Sequence, residues 1–462
     1  MRRITGTHVY GYAKCPRLAA LDLSLPRERR RPPHPWEEFA ARRGRDFEAA
    51  FVAKLEAREP IYPERDFERG AEATLELLRE GVPWVYQGVL RDENRLGLPD
   101  LLRRVPGESA LGSHHYEVVD VKTSGMPRSD QILQVMFYSR LLGDAQGRLP
   151  ERGALILKDG TEHAFPVRDF MAVAQGVEER LLELCADPGR ARPFAKPACE
   201  SCHWNEVCLP ELEAADDLSL VHGMTEGARW TLERLGFRTA ADLAGPRAER
   251  PGARGPMDAT LFRRLRRAAK ARKAGRILIE RHPKARPLDP SALLHLLADP
   301  FENRVLAFGV LFPAGPGAVF RAGIARAEED EWPAFLRLLD GIPSDAHLLH
   351  FGPDLPRWYE RRSSRVEEGI GHAARFLDLA RRLRHAAILP GPAVALADFV
   401  RLVLGRDPLR AGHAGEAAIW AAAEGGESKI VRKLREDLED LLALKRRLLD
   451  GETAAAMNET CN

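Results

Sequence analysis

The feature that most constrains this chain is a cysteine trio, Cys199, Cys202 and Cys208, spaced C-x2-C-x5-C downstream of the strand-like run Tyr116-Glu-Val-Val-Asp-Val-Lys122. Residues two apart in a strand point the same way, so Asp120 and Lys122 share one face with Val118, while Val119 and Val121 take the other. A carboxylate there suits a hard cation such as Mg²⁺. A neighbouring ammonium can orient an attacking water and neutralise charge in a transition state. Lysine is scarce here: of 70 basic residues 11 are Lys and 59 are Arg. Arginine does not deprotonate, so Lys122 stands out as a choice. The trio needs a fourth thiolate, and Cys15 is the candidate.

A length of 462 residues predicts two or three domains. A net charge of +2 gives no global basic field, so any nucleic-acid surface has to be a local patch. The opening Met1-Arg-Arg-Ile-Thr-Gly6 carries no apolar core and does not read as a secretory signal. No apolar run is long enough for a membrane span. A cytoplasmic, reducing setting follows, in which six cysteines act as ligands rather than as a disulfide scaffold.

Residues 1–212 mix helix and strand signals. Trp36–Arg58 reads as a helix with Gly44, Glu48, Phe51, Val52 and Leu55 on one face. Trp84–Leu90 reads as a strand that turns at Arg91–Asn94 and returns through Arg95–Val105. Tyr116–Thr123 follows as a strand, then a helix over Gln131–Leu142, short strands at Ala154–Leu157 and Glu162–Val167, and a helix over Phe170–Cys185. Residues 213–285 read as wholly helical and basic, with eight Arg or Lys and no acid from Leu261 to Arg276. A linker is expected at Pro283–Pro290. The third part, 286–451, opens with strands at Leu293–Leu297, Val305–Phe312 and Ala318–Ala322. It ends in a helix, Lys429–Leu449, with a leucine stripe at 434, 438, 441, 442 and 448. Residues 452–462 read as a flexible tail. The fold class is therefore α/β and multidomain.

The Asp120–Lys122 face needs a second carboxylate. Asp100 closes Gly97-Leu-Pro-Asp100, where Pro99 removes a ladder donor and bends the strand or leaves it at an edge. Glu48 lies on the packed face of its helix, with Gly44 one turn earlier permitting close approach. Gln134 and Tyr138, four apart, share a helix face and can line the site.

In order and spacing these residues resemble the RecB-type PD-(D/E)xK nucleases, including the CRISPR-associated RecB-like exonucleases and AddB-type domains. The matching residues are Cys15, Gly44-Arg-Asp-Phe-Glu48, Gly97-Leu-Pro-Asp100, Asp120-Val-Lys122, Gln134-Val-Met-Phe-Tyr138 and the cysteine trio. The resemblance implies a restriction-endonuclease-like α/β core over 1–212. It implies Mg²⁺ or Mn²⁺ held by Asp100, Asp120 and the Val121 carbonyl, with Lys122 activating water and Gln134 and Tyr138 forming the Q-x3-Y element. Many relatives carry His where this chain has Glu48, which can still ligate either metal. The activity implied is hydrolysis of DNA, single-stranded or at ends, in DNA processing or repair, beside a helicase. The alternative is an inactive nucleic-acid-binding or scaffold protein on the same fold.

Four thiolates suit a [4Fe–4S] cluster or tetrahedral Zn²⁺. Zinc more often takes two C-x2-C hairpins, and the resemblance implies the iron–sulfur cluster, a staple joining the first helix to the end of the domain. Cys185 and Cys461 fall outside the pattern. His222–Gly227 followed by Leu235–Leu243 resembles a helix–hairpin–helix, whose backbone amides bind DNA phosphates; Glu226 opposes that, and a plain helical hairpin remains open. The basic run Arg263–Lys273 can track a nucleic-acid backbone or form a solvated face. Residues 286–451 resemble a ribonuclease H-like 3′–5′ exonuclease domain without its acidic pair: the first strand reads His295-Leu-Leu-Ala-Asp299-Pro300, with Asp378 and Asp437 as later acids. A folded, catalytically dead domain is expected.

Overall fold

A computed structural model describes residues 3–246, 257–280, 288–300, 302–366, 371–392, 395–405 and 416–450. The expected tail, Cys461 and most of the expected linker lie outside these residues. The chain divides into two compact units, one of 1–193 with 201–206, the other of 194–200 with 207–462. Both are mixed α/β. The expected helical segment 213–285 and the expected domain 286–451 both lie in the second unit. Among the described residues no helix is long and apolar enough to cross a membrane.

The first unit carries helices α1 (Gly6–Lys14), α2 (Pro16–Ser24), α3 (Pro35–Val52), α4 (Phe67–Glu80), α5 (Ser129–Gln146) and α6 (Val167–Ala186). Its strands are β1 (Ile4–Thr5), β2 (Ala57–Arg58), β3 (Trp84–Tyr86), β4 (Leu90–Arg91), β5 (Arg95–Gly97), β6 (Leu101–Ser109), β7 (Gly112–Val121), β8 (Arg152–Ile156) and β9 (Glu162–Pro166). The main sheet runs β2-β3-β6-β7-β8-β9, and β1-β5-β4 form a second, small sheet. Strand β7 pairs antiparallel with β6 and parallel with β8. Period-two alternation sorts the core. Leu102, Val118 and Leu155 face a layer with Val135, Phe137 and Leu181 from α5 and α6. Leu101, Val119, Val121, Ala154 and Ile156 face Phe47, Phe51 and Val52 of α3.

Three expectations change. The helix expected over Trp36–Arg58 ends at Val52, and Ala57–Arg58 becomes an edge strand beside β3. The strand expected over Trp84–Leu90 splits, because Gln87 takes a left-handed φ of 51° that no ladder tolerates. Its two pieces then join different sheets. The returning arm splits likewise: Leu98–Asp100 crosses from the small sheet to the large one, with Pro99, which has no N–H to lose, in the crossing.

The second unit has α7 (Asn205–Ala214, its first two residues counted with the first unit), α8 (Glu226–Arg234), α9 (Ala240–Ala244) and α10 (Ala259–Ala274). It is not wholly helical before 286, since β10 (Leu278–Ile279) pairs with a distant strand. Then follow β11 (Ser291–Asp299), β12 (Arg304–Phe312), β13 (Val319–Ile324), α11 (Glu331–Leu339), β14 (His347–His350), α12 (Asp354–Ser363), β15 (Phe376–Asp378), α13 (Leu379–Ala386), β16 (Ala387–Ile388), α14 (Leu396–Phe399), α15 (Glu416–Ala421) and α16 (Gly426–Lys445). The five-stranded sheet runs β13-β12-β11-β14-β15, antiparallel among β11–β13 and parallel from β11 through β15. One face packs Trp332, Phe335, Trp358 and Tyr359 of α11 and α12. The other packs the leucine stripe Leu434, Leu438, Leu441 and Leu442 of α16, with Leu448 just past its end, all of them buried. Helix α16 comes close because of Gly309: a Cβ there would stand 2.9 Å from Leu438.

Candidate metal centre

The end of β7 brings Asp120 and Lys122 to the point where the chain crosses into β6 at Asp100. Lys122 Nζ lies 2.9 Å from Asp120 Oδ2 and 3.6 Å from Asp100 Oδ2. Asp120 is fully buried, and the other two side chains are 16–17% exposed. Backbone amides fix both acids: the Asp100 N–H donates to Asp120 Oδ1 at 3.2 Å, and the Val121 N–H donates to Asp100 Oδ2 at 2.8 Å. Asp120 Oδ2 has the Lys122 ammonium close by but no aligned hydrogen bond. A buried, incompletely satisfied carboxylate oxygen with a second carboxylate close by is a fitting donor for a hard cation.

The charges follow from this packing. Burial and then the Asp120 carboxylate hold the Asp100 carboxyl well above the usual carboxylate range. Burial opposes the Lys122 charge, but Asp120 and Asp100 outweigh it, and its pKa is raised. In this arrangement Lys122 is a fixed ammonium, so it orients and stabilises charge rather than accepting a proton. Burial and the negative Asp120 likewise raise the Tyr138 hydroxyl.

Gln134 Nε2 donates to Tyr138 Oη at 3.0 Å, so this pair does share a face. No motif marks what seats Tyr138. Gly6, at the start of α1, lies directly against its hydroxyl end, and a Cβ on Gly97 would stand 2.9 Å from its ring. Glu48 reaches the site from α3. Its Oε1 accepts from Gln87 Nε2 at 2.9 Å, and its charge acts on Asp100. Gly44 has no part in this: a Cβ there would meet nothing within 4 Å, so close approach is not its role. Among the described residues no group of three or more His, Cys, Asp or Glu is placed to hold a metal ion.

The four cysteines divide between the units, Cys15 and Cys202 in the first, Cys199 and Cys208 in the second. All are partly exposed thiols. Cys15 sits at the junction of α1 and α2. The segment around Cys202 is tied to α2 by residues that belong to no motif. Asp22 accepts from Trp204 Nε1 at 2.8 Å and contacts His203 Nε2 at 3.0 Å and Arg30 at 2.5 Å. Arg31 donates to the Ser201 and Cys202 carbonyls. His203 is thereby engaged with Asp22. The Trp204 amide points at Cys202 Sγ from 3.5 Å.

Compared with known proteins, the chain matches no family model and no curated protein.

In the second unit, the amides at the start of α9 are already satisfied. Ala240 N donates to Asp216 O, Ala241 N to Asp216 Oδ2, and Arg238 N and Thr239 N to Asp242 Oδ2. They are not open to a phosphate. Much of the basic run on α10 is also engaged: Arg264 with the Arg384 carbonyl, Arg266 with the Gly245 carbonyl, Arg267 with Glu280 and Arg272 with Glu213. Asp378 accepts the Ala380 N–H as the cap of α13. Asp437 is held between His295 Nε2 at 3.2 Å and Lys433 Nζ at 2.5 Å, beside a cavity of about 800 Å³.

Proposed function

We propose that this chain is a Mg²⁺- or Mn²⁺-dependent nuclease that hydrolyses DNA phosphodiesters, of the RecB type named above. One observation carries the reading: two carboxylates distant in sequence, Asp100 and Asp120, meet one ammonium, Lys122, within 3.6 Å. Asp100 and Asp120 would hold the cation, with Glu48 nearby. A bound divalent cation would supply Lewis acidity toward water and the scissile phosphate. Lys122, kept cationic, would hold the attacking water and offset charge growing on the phosphate. Tyr138, fixed by Gln134, would keep Lys122 in place.

The second unit fits a ribonuclease H-like module through its strand order, three antiparallel strands followed by two parallel ones. We take it as a non-hydrolytic module, because Asp437 is engaged by His295 and Lys433 and Asp378 is spent as a cap. The [4Fe–4S] reading of Cys15, Cys199, Cys202 and Cys208, with Zn²⁺ as the other option, is carried by their spacing. The Trp204 amide beside Cys202 is the kind of donor a thiolate accepts.

The test is cleavage of end-labelled single-stranded DNA with Mn²⁺ by the anaerobically purified chain. Asp120→Ala should abolish cleavage while leaving the visible absorption of a cluster intact. Equal cleavage by the variant would defeat the proposal. Binding without cleavage under any divalent metal would favour the inactive scaffold.

A further inference from the structure

The break after β3 joins groups that the sequence keeps far apart. Gln87 is a non-glycine residue at φ 51°. Such a conformation is strained for a residue with a side chain and persists where its surroundings over-determine it. Two bonds do so here. The Gln87 N–H donates to the Asp100 carbonyl at 3.0 Å, and its side-chain Nε2 donates to Glu48 Oε1 at 2.9 Å. Tyr86, the residue before it, lies near the same carboxylate; burial and the Glu48 charge push its hydroxyl up to about 12. Gln87 therefore holds the α3 carboxylate with its side chain while its backbone holds the Asp100 segment. An unbroken strand from Trp84 to Leu90 would place side chain 87 on the face opposite Tyr86 and lose the grip.

We propose that Gln87 is a positioning residue of the metal centre, tying Glu48 to the Asp100 segment so that its negative charge acts on the Asp100 end of the site and strengthens binding of a hard divalent cation. This rests on the metal-centre reading above. Residues that orient metal-binding groups typically change affinity 10–100-fold when removed.

The experiment is direct Mn²⁺ binding to the full chain, read by the loss of the free-ion electron paramagnetic resonance signal. Gln87→Gly is the main variant, because glycine keeps the left-handed backbone without strain and removes the side chain that reaches Glu48. It should weaken Mn²⁺ binding 10–100-fold while the metal-free melting temperature moves by no more than about 4 °C, the shift expected for one lost hydrogen bond. Glu48→Gln should weaken binding similarly. The double variant should be no weaker than Glu48→Gln alone, since Gln87 acts through Glu48. Unchanged Mn²⁺ affinity in Gln87→Gly would overturn the inference and leave Gln87 as a plain staple of α3. Fully additive losses would also overturn it. If the unaltered chain takes up no Mn²⁺, the metal-centre reading falls and this inference with it, a result distinct from either of the others.

Discussion

Lys122→Met gives the sharpest test of the electrostatics at the β7 end. The substitution keeps an unbranched side chain one atom shorter and removes the only cation within 4 Å of Asp120 and Asp100 among the described residues. At an effective dielectric of ~20, separations of 2.9 and 3.6 Å are each worth roughly 5 kcal/mol of attraction before desolvation. Desolvation takes back much of this, and removing one partner of a buried pair costs roughly 3–5 kcal/mol. Asp100, already biased toward its neutral form, can take up a proton and so limit the loss. The expected cost is thus about 3 kcal/mol. For a unit of this size that is a fall of about 6–12 °C in melting temperature, measured by scanning calorimetry in EDTA. Mn²⁺ then replaces the missing positive charge. A ligand at 100 times its dissociation constant stabilises by about 2.7 kcal/mol, and the shift in Lys122→Met should exceed that in the unaltered chain. Cleavage should stay lost even with stability restored. If the variant melts within about 2 °C of the unaltered chain in EDTA, or Mn²⁺ shifts both equally, the carboxylate–ammonium argument is wrong.

Three further outcomes follow from particular contacts. Tyr138→Phe should cost about 1 kcal/mol in denaturant unfolding by removing the acceptor of Gln134, and should slow cleavage at saturating DNA. Glu331, fully buried, accepts from the Val305 amide, Trp358 Nε1 and Arg362 Nε, so Glu331→Ala should destabilise the second unit by about 3–5 kcal/mol while leaving Mn²⁺ binding unchanged. Asp437 is buried, which opposes its charge, yet His295 and Lys433 hold its carboxyl below the usual value. Its contribution is present above about pH 4 and is lost as pH falls through the lowered value. Asp437→Asn should therefore flatten the acid side of the second unit's urea-midpoint profile.

Much of the first unit could be read from periodicity. The alternation in Tyr116–Lys122 separated Val118 from Val119 and Val121 before any fold was known, and the packing sorts them the same way. The stripe from Leu434 to Leu442 marked the buried face of α16 for the same reason. These patterns are local: they depend only on the rise and repeat of one element. The break at Gln87 was not legible, because nothing in Trp84-Val-Tyr-Gln-Gly-Val-Leu90 demands a left-handed residue at 87; the Asp100 carbonyl and Glu48 impose it from elsewhere in the chain. Gly44 was misread and Gly6 missed for a related cause. A glycine's neighbour is set by tertiary packing, and only there does Tyr138 arrive against Gly6 while Gly44 faces open space. The basic run on α10 looked available as a string of letters, yet carbonyls and acids from other elements engage much of it. Residue type and spacing determined which groups have the chemistry to bind a cation. Tertiary structure decided which of them meet, because a carboxylate's charge and reach depend on burial and neighbours that no single segment contains.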